Sequence, residues 1–294
     1  MSASQSQKLV LATGASSGLG FESVKQLLAQ KEQAYHFVLG VRSPEKVKAA
    51  YDDLKYDSKH TVTIFHLDLL SLESVQVFKK QVFEKLGSFT LDILYLAAGA
   101  LDNAEGPGPH GSKWCKGFVV NHLAQHYLVH LLADELRSSK SRIVIVSSGG
   151  IRNVRDQDTS TLDVDLKANS GAGYGTVYSA SKFTQLLGAH YWRRRLPECH
   201  VVAVSPGLVP STGLATDLGL SMNMPDALTV PQGAQNLLRA FTIQDFPEDP
   251  QQIFLTSWGE WWPTHVFALS LDVDLQNKWC PSKEEIEKEA GVSS

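Results

Sequence analysis

Cysteine is scarce: Cys115, Cys199 and Cys280 are the only three in 294 residues, and none belongs to a C-x-x-C pair. That argues against a disulfide framework or a thiolate zinc site and points to a reducing compartment, taken as the cytoplasm. An excess of one charge is also missing. With 27 Lys and Arg against 31 Asp and Glu, the net charge of −4 leaves no basic footprint for nucleic acid. No apolar run reaches the ~18 residues that span a bilayer, and Met1 to Gln7 are polar. Neither a membrane span nor a signal peptide is expected. Asp163 and Asp165 lie close together in the polar stretch 151–173, but two aspartates without further ligands read as turn residues. No metal is expected, and no internal repeat is visible.

What is present is a regular alternation of apolar strands and amphipathic helices. Leu9–Ala12, His36–Val41, Thr61–Leu67, Leu91–Ala97, Arg142–Val146, His200–Ser205 and Gln252–Thr256 read as strands. Between them fall helical faces carrying Val24, Leu27 and Leu28, then Val75, Phe78, Val82 and Leu86, then Leu186, Leu187 and Trp192. Ser43-Pro44 reads as the start of a helix running toward Asp57, and Thr229 to Gln232 as a capping box ahead of Leu237 and Leu238. Such an order predicts an α/β chain: one Rossmann-type, doubly wound parallel sheet of about seven strands with helices on both faces, in a single domain over 1–294. Ligands of such sheets meet at the carboxyl edge.

The motifs fall at that edge. Thr13-Gly14-Ala15-Ser16-Ser17-Gly18-Leu19-Gly20 follows the first strand and opens the first helix. The first N–H groups of a helix have no internal partner and its dipole favours an anion, so a pyrophosphate is the natural occupant. Gly14 would permit the tight turn, Gly18 the approach of phosphate, and Gly20 the close lie of helix on strand. The alternative is a glycine loop that merely turns the chain. The second strand ends in Val41-Arg42 rather than an acid, which favours NADP(H): a guanidinium suits a 2′-phosphate, and Ser16 or Ser17 can add a donor. Arg42 as a plain surface residue is the other reading. Asp68-Leu69 ends the third strand, where the carboxylate either accepts from the adenine amino group or begins a turn. Ala98-Gly99 is a small-residue exit where backbone can pass close to a ligand.

Tyr178 and Lys182 stand one helical turn apart, on one face. A phenol holds its proton to about pH 10, and a nearby ammonium lowers that value. The pair can relay a proton while a nicotinamide exchanges hydride, and Lys182 can also bond the nicotinamide ribose. Ser148, at the end of the fifth strand, is placed to hold the substrate oxygen. Asn121 is an amide inside an apolar helix, satisfying local backbone or serving the site.

This set resembles the short-chain dehydrogenase/reductase family over roughly residues 8 to 240. The matching pieces are the glycine loop, Asp68, Ala98-Gly99, Asn121, Ser147-Ser148, Tyr178-Ser-Ala-Ser-Lys182 and Pro206-Gly207. The resemblance implies a tetrad of Asn121, Ser148, Tyr178 and Lys182, with Asn121 supporting a water that links Lys182 to solvent. It also implies that Val209 and Thr212 contact the nicotinamide amide. One departure is Leu96-Ala97, where the family usually carries two asparagines.

The segment after Pro206-Gly207 is similar to that of retinol dehydrogenases and protochlorophyllide oxidoreductases. The reactive cysteine of the light-driven enzymes would fall at Thr184, so photochemistry is not expected. A lid over about 208–230 and an extension over about 258–294 are expected to set the substrate. Met222, Met224, Trp258, Trp261 and Trp262 line a flexible apolar pocket or belong to core or an oligomer contact. The expected activity is NADPH-dependent reduction of a bulky lipophilic or aromatic ketone or aldehyde, polyketide-, steroid- or retinoid-like, or the reverse oxidation. A polyketide-like substrate would place it in secondary metabolism. Alternatives are reduction of C=C or C=N on the same scaffold, and a redox-inactive NADP(H)-binding sensor or scaffold. The family often forms dimers or tetramers, so a homodimer or homotetramer is the expected assembly.

Overall fold

Apolar runs buried on both faces need helices on both sides, and that is the architecture found in the computed structural model, which describes residues 7–155, 159–215 and 219–292. The strands are β1 (Lys8–Thr13), β2 (Tyr35–Val41), β3 (Thr61–His66), β4 (Ile93–Leu96), β5 (Arg142–Val146), β6 (His200–Val204) and β7 (Phe254–Leu255). They form one parallel seven-stranded sheet in the order β3-β2-β1-β4-β5-β6-β7. Side chains alternate across it: Leu9 and Leu11 of β1 enter one core layer, Val10 and Ala12 the other.

Helices α1 (Gly18–Ala29), α2 (Pro44–Asp52) and α3 (Leu72–Leu86) follow the first three strands. After β4 the chain forms α4 (Lys116–Phe118), a π-helical turn (Val119–Leu123), α5 (Ala124–Leu131) and α6 (Ala133–Ser139). Short α7 (Leu162–Asp165) precedes α8 (Tyr174–Arg195); α9 (Val230–Thr242), α10 (Val273–Trp279) and α11 (Lys283–Ala290) complete the chain. One layer carries α1, α2 and α9, the other α3, α5 and α8. Strand order reverses between β1 and β4, and a crevice opens at their carboxyl ends.

Several local expectations shift. The helix from Pro44 ends at Asp52, not Asp57, and the Ser43 side chain makes no capping bond. The helix that carries Tyr178 starts one turn before it, at Tyr174. β7 is cut to two residues because only Phe254 and Leu255 find partners on β6. The capping box at Thr229 and Gln232 forms in both directions. Asp163 pairs with Lys278, and Asp165 accepts from Thr161 Oγ1 at 2.9 Å. No helix among the described residues is long and apolar enough to cross a membrane.

Beyond β7, a 3₁₀ stretch (Thr264–Leu271) and α10 pack on α8, and α11 packs on α5. His122 Nε2 donates to Trp279 O at 2.7 Å, and Tyr127 Oη to Glu287 Oε1 at 2.7 Å. Residues 216–218 of the expected lid and 293–294 of the expected extension lie outside the described residues.

Candidate active site

A cleft of about 620 Å3 occupies the carboxyl edge of the sheet, a size suited to a cofactor. Its walls are Gly14, Ser16, Ser17, Gly18, Leu19 and Gly20 of the β1–α1 turn, Arg42 after β2, Asp68 and Leu69 after β3, Ala98 and Gly99 after β4, Tyr178 and Lys182 of α8, and Pro206 and Thr212 after β6. Two glycines make the turn possible. At Gly14, φ is +71° and a Cβ would lie 2.4 Å from Ala98 N; at Gly20 it would lie 2.3 Å from Gly14 O. Either side chain would force α1 away from the sheet.

Ser17 caps α1 without a side-chain bond, so the first N–H groups of the helix are left for an anion. A cradle closed to Cβ atoms and a helix start with unclaimed donors fit the pyrophosphate of a dinucleotide. Arg42 is exposed at the other end of the cleft. Asp68 begins the turn, its Oδ1 accepting from Leu70 N at 3.0 Å, and the residue also lines the cleft. Gly207 and Val209 are not on the wall. The Val209 side chain is buried in the notch beside Gly233 of α9, where a Cβ on that glycine would meet it at 2.6 Å.

At the inner end of the cleft, Tyr178 is on the wall, and Ser148, itself off the wall, lies beside it next to Gly150. Burial raises the phenol above its ordinary value, and Ser148 offsets part of that rise. The expectation that Lys182 lowers it is not met, for a geometric reason. Lys182 Nζ is turned to Val146 O at 2.9 Å and Gln185 Oε1 at 3.1 Å. Burial alone pushes the ammonium down to about 8. Near pH 7 both groups therefore keep their protons, the form in which a phenol can donate.

Asn121 lies behind the wall, on the π-helical turn. Its Oδ1 accepts from Ala100 N at 2.7 Å, while Nδ2 donates to Ala100 O at 3.0 Å and Ser181 Oγ at 2.9 Å. The amide thus ties the exit of β4 to α8. Such wide turns often sit at functional sites, because they break the helical ladder locally.

Three residues that sequence reasoning passed over complete the site. Gln125 Nε2 donates to Ala98 O at 3.1 Å and to the carbonyls that the π turn leaves, Val120 at 3.1 Å and Asn121 at 3.2 Å. Thr13 Oγ1 donates to Gln125 Oε1 at 3.0 Å and accepts from Ala98 N at 3.3 Å. Together they brace the segment that Leu96-Ala97 cannot brace from within. Gln185 holds Lys182. The available signal was a pair of amides, each at helical spacing from a site residue: Gln125 from Asn121 and Gln185 from Lys182.

Glycine-cradled anion site, parallel sheet and buried Tyr–Lys turn together define a dinucleotide-binding oxidoreductase. The chain belongs to the short-chain dehydrogenase family, whose sequence model, described as short chain dehydrogenase, matches residues 8–156. A short-chain dehydrogenase/reductase of Pestalotiopsis microspora is 56% identical over 285 residues, covering 95% of this chain and 98% of that protein. Retinol dehydrogenase 13 of Homo sapiens is 31% identical over 221 residues, 72% of this chain and 62% of that protein. Among solved structures, the NADPH-bound carbonyl reductase from chicken fatty liver superposes with a TM-score of 0.64 at 20% identity, covering 89% of this chain and 96% of the other. An alcohol dehydrogenase of Thermococcus sibiricus complexed with 5-hydroxy-NADP gives 0.63 at 19%, with 85% and 96% covered. At those identities the likeness is one of fold.

Proposed function

We propose that the protein is an NADP(H)-dependent reductase of bulky, lipophilic or aromatic ketones and aldehydes. The observation that carries this reading is the Tyr178 phenol, beside Ser148, on the wall of a glycine-cradled cleft that also carries Arg42. Bound there, the nicotinamide would supply or accept the hydride at the carbonyl carbon. Ser148 holds the carbonyl oxygen, and Tyr178 Oη gives it a proton. The Lys182 ammonium, one turn along α8, would hydrogen-bond the nicotinamide ribose. Asn121 and Gln125 keep the Ala98–Ala100 wall in place. Gly14, Gly18 and Gly20 receive the pyrophosphate, Asp68 the adenine side and Arg42 the 2′-phosphate. Two relatives in structure, named as NADPH and 5-hydroxy-NADP complexes, support that cofactor choice.

Of the residues weighed for an apolar substrate pocket, Trp262 belongs to the core, stacked on Phe254 at 4.4 Å, while Met222, Met224 and Trp258 are exposed and line no part of the cleft. The bulky, lipophilic substrate class therefore rests on the family reading. The test is NADPH consumption with a panel of aromatic and alicyclic ketones, by wild type and Tyr178→Phe. Loss of about 10²–10⁴-fold in turnover with NADPH affinity kept is expected. Turnover within about threefold of wild type would remove Tyr178 from the chemistry.

A further inference from the structure

Behind Lys182 lies a cavity of about 20 Å3, lined on its polar side by Asn121, His122, Gln125, His126, Gln185 and Trp192. That volume holds one water, provided two or more polar groups meet it. Three do. Gln185 Nε2, Trp192 Nε1 and His126 Nδ1 are buried without a hydrogen-bond partner, in side chains only 4%, 4% and 3% exposed.

Their chemistry is complementary. Lys182 Nζ can only donate, so the amide atom 3.1 Å from it is the Gln185 oxygen, and the nitrogen points away. His126 Nε2 lies 2.9 Å from Pro281 O, an acceptor only, and 3.1 Å from His130 Nε2; a proton on His126 Nε2 serves the closer carbonyl, which leaves Nδ1 to accept. Trp192 Nε1 can only donate. We infer that a buried water accepts from Gln185 and Trp192 and donates to His126, and that Gln185, fixed by this water, is a positioning residue that keeps the Lys182 ammonium charged and aimed.

The groups facing that ammonium are few. Tyr178 and Gln185 come from its own helix, the Val146 carbonyl from β5, Gly99 from the β4 exit and Asn121 from the π turn. No carboxylate or second cation contributes to its shift, which is due to burial. Of the titratable groups at the cavity, His122 and His126 are both held neutral by burial, His122 down to about 4. Among the described residues, the Gln185 oxygen is then the one neutral side-chain acceptor bonded to Nζ. It acts on Lys182, not on the substrate.

The test compares Gln185→Met, close in volume, with Gln185→Glu, and follows the alkaline limb of the kcat–pH profile for carbonyl reduction. That limb reports the first proton lost by the Tyr178–Lys182 pair. Gln185→Met should move it down by about one pH unit, about fivefold in turnover at pH 8, and Gln185→Glu should move it up. Trp192→Phe, which removes one partner of the water, should move it down by less. A merely structural role would not displace the limb in opposite directions for the two variants. Limbs unmoved, or moved the same way, overturn the inference. The inference rests on the reductase reading for this readout only. Should wild type bind NADPH yet reduce no carbonyl, the reductase reading fails, and the pH dependence of NADPH affinity, by cofactor fluorescence, decides the role of Gln185 by the same opposed displacements.

Discussion

Gln125→Leu tests whether the β4 exit is braced from α5. Leucine fits the volume but offers no polar atom. It would strip Thr13 Oγ1 of its acceptor and Ala98 O of its donor, both inside the protein. The Val120 and Asn121 carbonyls would lose a secondary donor. Each fully stranded buried group costs about 1–3 kcal/mol, so the two principal ones together imply a loss of about 2–6 kcal/mol. Ala98 backs directly on Gly14, where a Cβ would already meet Ala98 N at 2.4 Å. Movement of that wall therefore reaches the pyrophosphate cradle, and NADPH should weaken by about tenfold or more, near 1.4 kcal/mol. The assay is urea unfolding beside NADPH fluorescence titration, for Gln125→Leu, Thr13→Val and the double variant. Because Thr13 and Gln125 bond each other, the double variant should lose about 1–2 kcal/mol less than the sum of the singles. Additive losses, or a single-variant loss under about 0.5 kcal/mol, would refute the brace.

Arg42→Ala should weaken NADPH about 10–100-fold and NADH by less than about threefold, since only the former carries the 2′-phosphate that a guanidinium binds in charge-assisted bonds. Competitive titration with both cofactors checks this, and equal losses would show that Arg42 does not read the phosphate. His190 is buried with neither ring nitrogen bonded, and burial pushes it from 6.5 down to about 3. Below pH 6.5 the unfolded chain takes up a proton that the native imidazole refuses, so its contribution lowers stability as pH falls, by at most about 1.4 kcal/mol per unit. His190→Leu removes that penalty. Relative to wild type, its stability in urea should rise by about 2 kcal/mol between pH 7 and pH 5; parallel curves would leave His190 without a role in acid sensitivity.

Much of the fold was legible because its signals are local. Apolar runs such as Val38-Leu39 and Ile143-Val144-Ile145 announce strands buried on both faces, and the capping box at Thr229 needs only four residues to declare itself. The glycine loop is likewise a statement about backbone geometry within eight residues. α8 was harder to bound. Ser179, Ser181, Lys182, Thr184, Gln185 and His190 are all buried in it, so no polar face marked its course. Nor could periodicity reveal the π turn at Asn121, whose extra residue per turn is settled by packing and by the Gln125 amide.

The amino-acid sequence by itself determined the order of elements, the anion-binding turn and the presence of Tyr178, Lys182, Ser148 and Asn121, since each rests on residues close in the chain. Only the tertiary structure decided how those groups meet. It turned Lys182 toward Val146 and Gln185, left burial to hold the phenol protonated, replaced the missing asparagines with Thr13 and Gln125, and set the C-terminal helices behind α5 and α8. Those outcomes depend on contacts between residues as far as 160 positions apart. Desolvation and hydrogen-bond partners at such separations are properties of the packed molecule, and no window along the chain contains them.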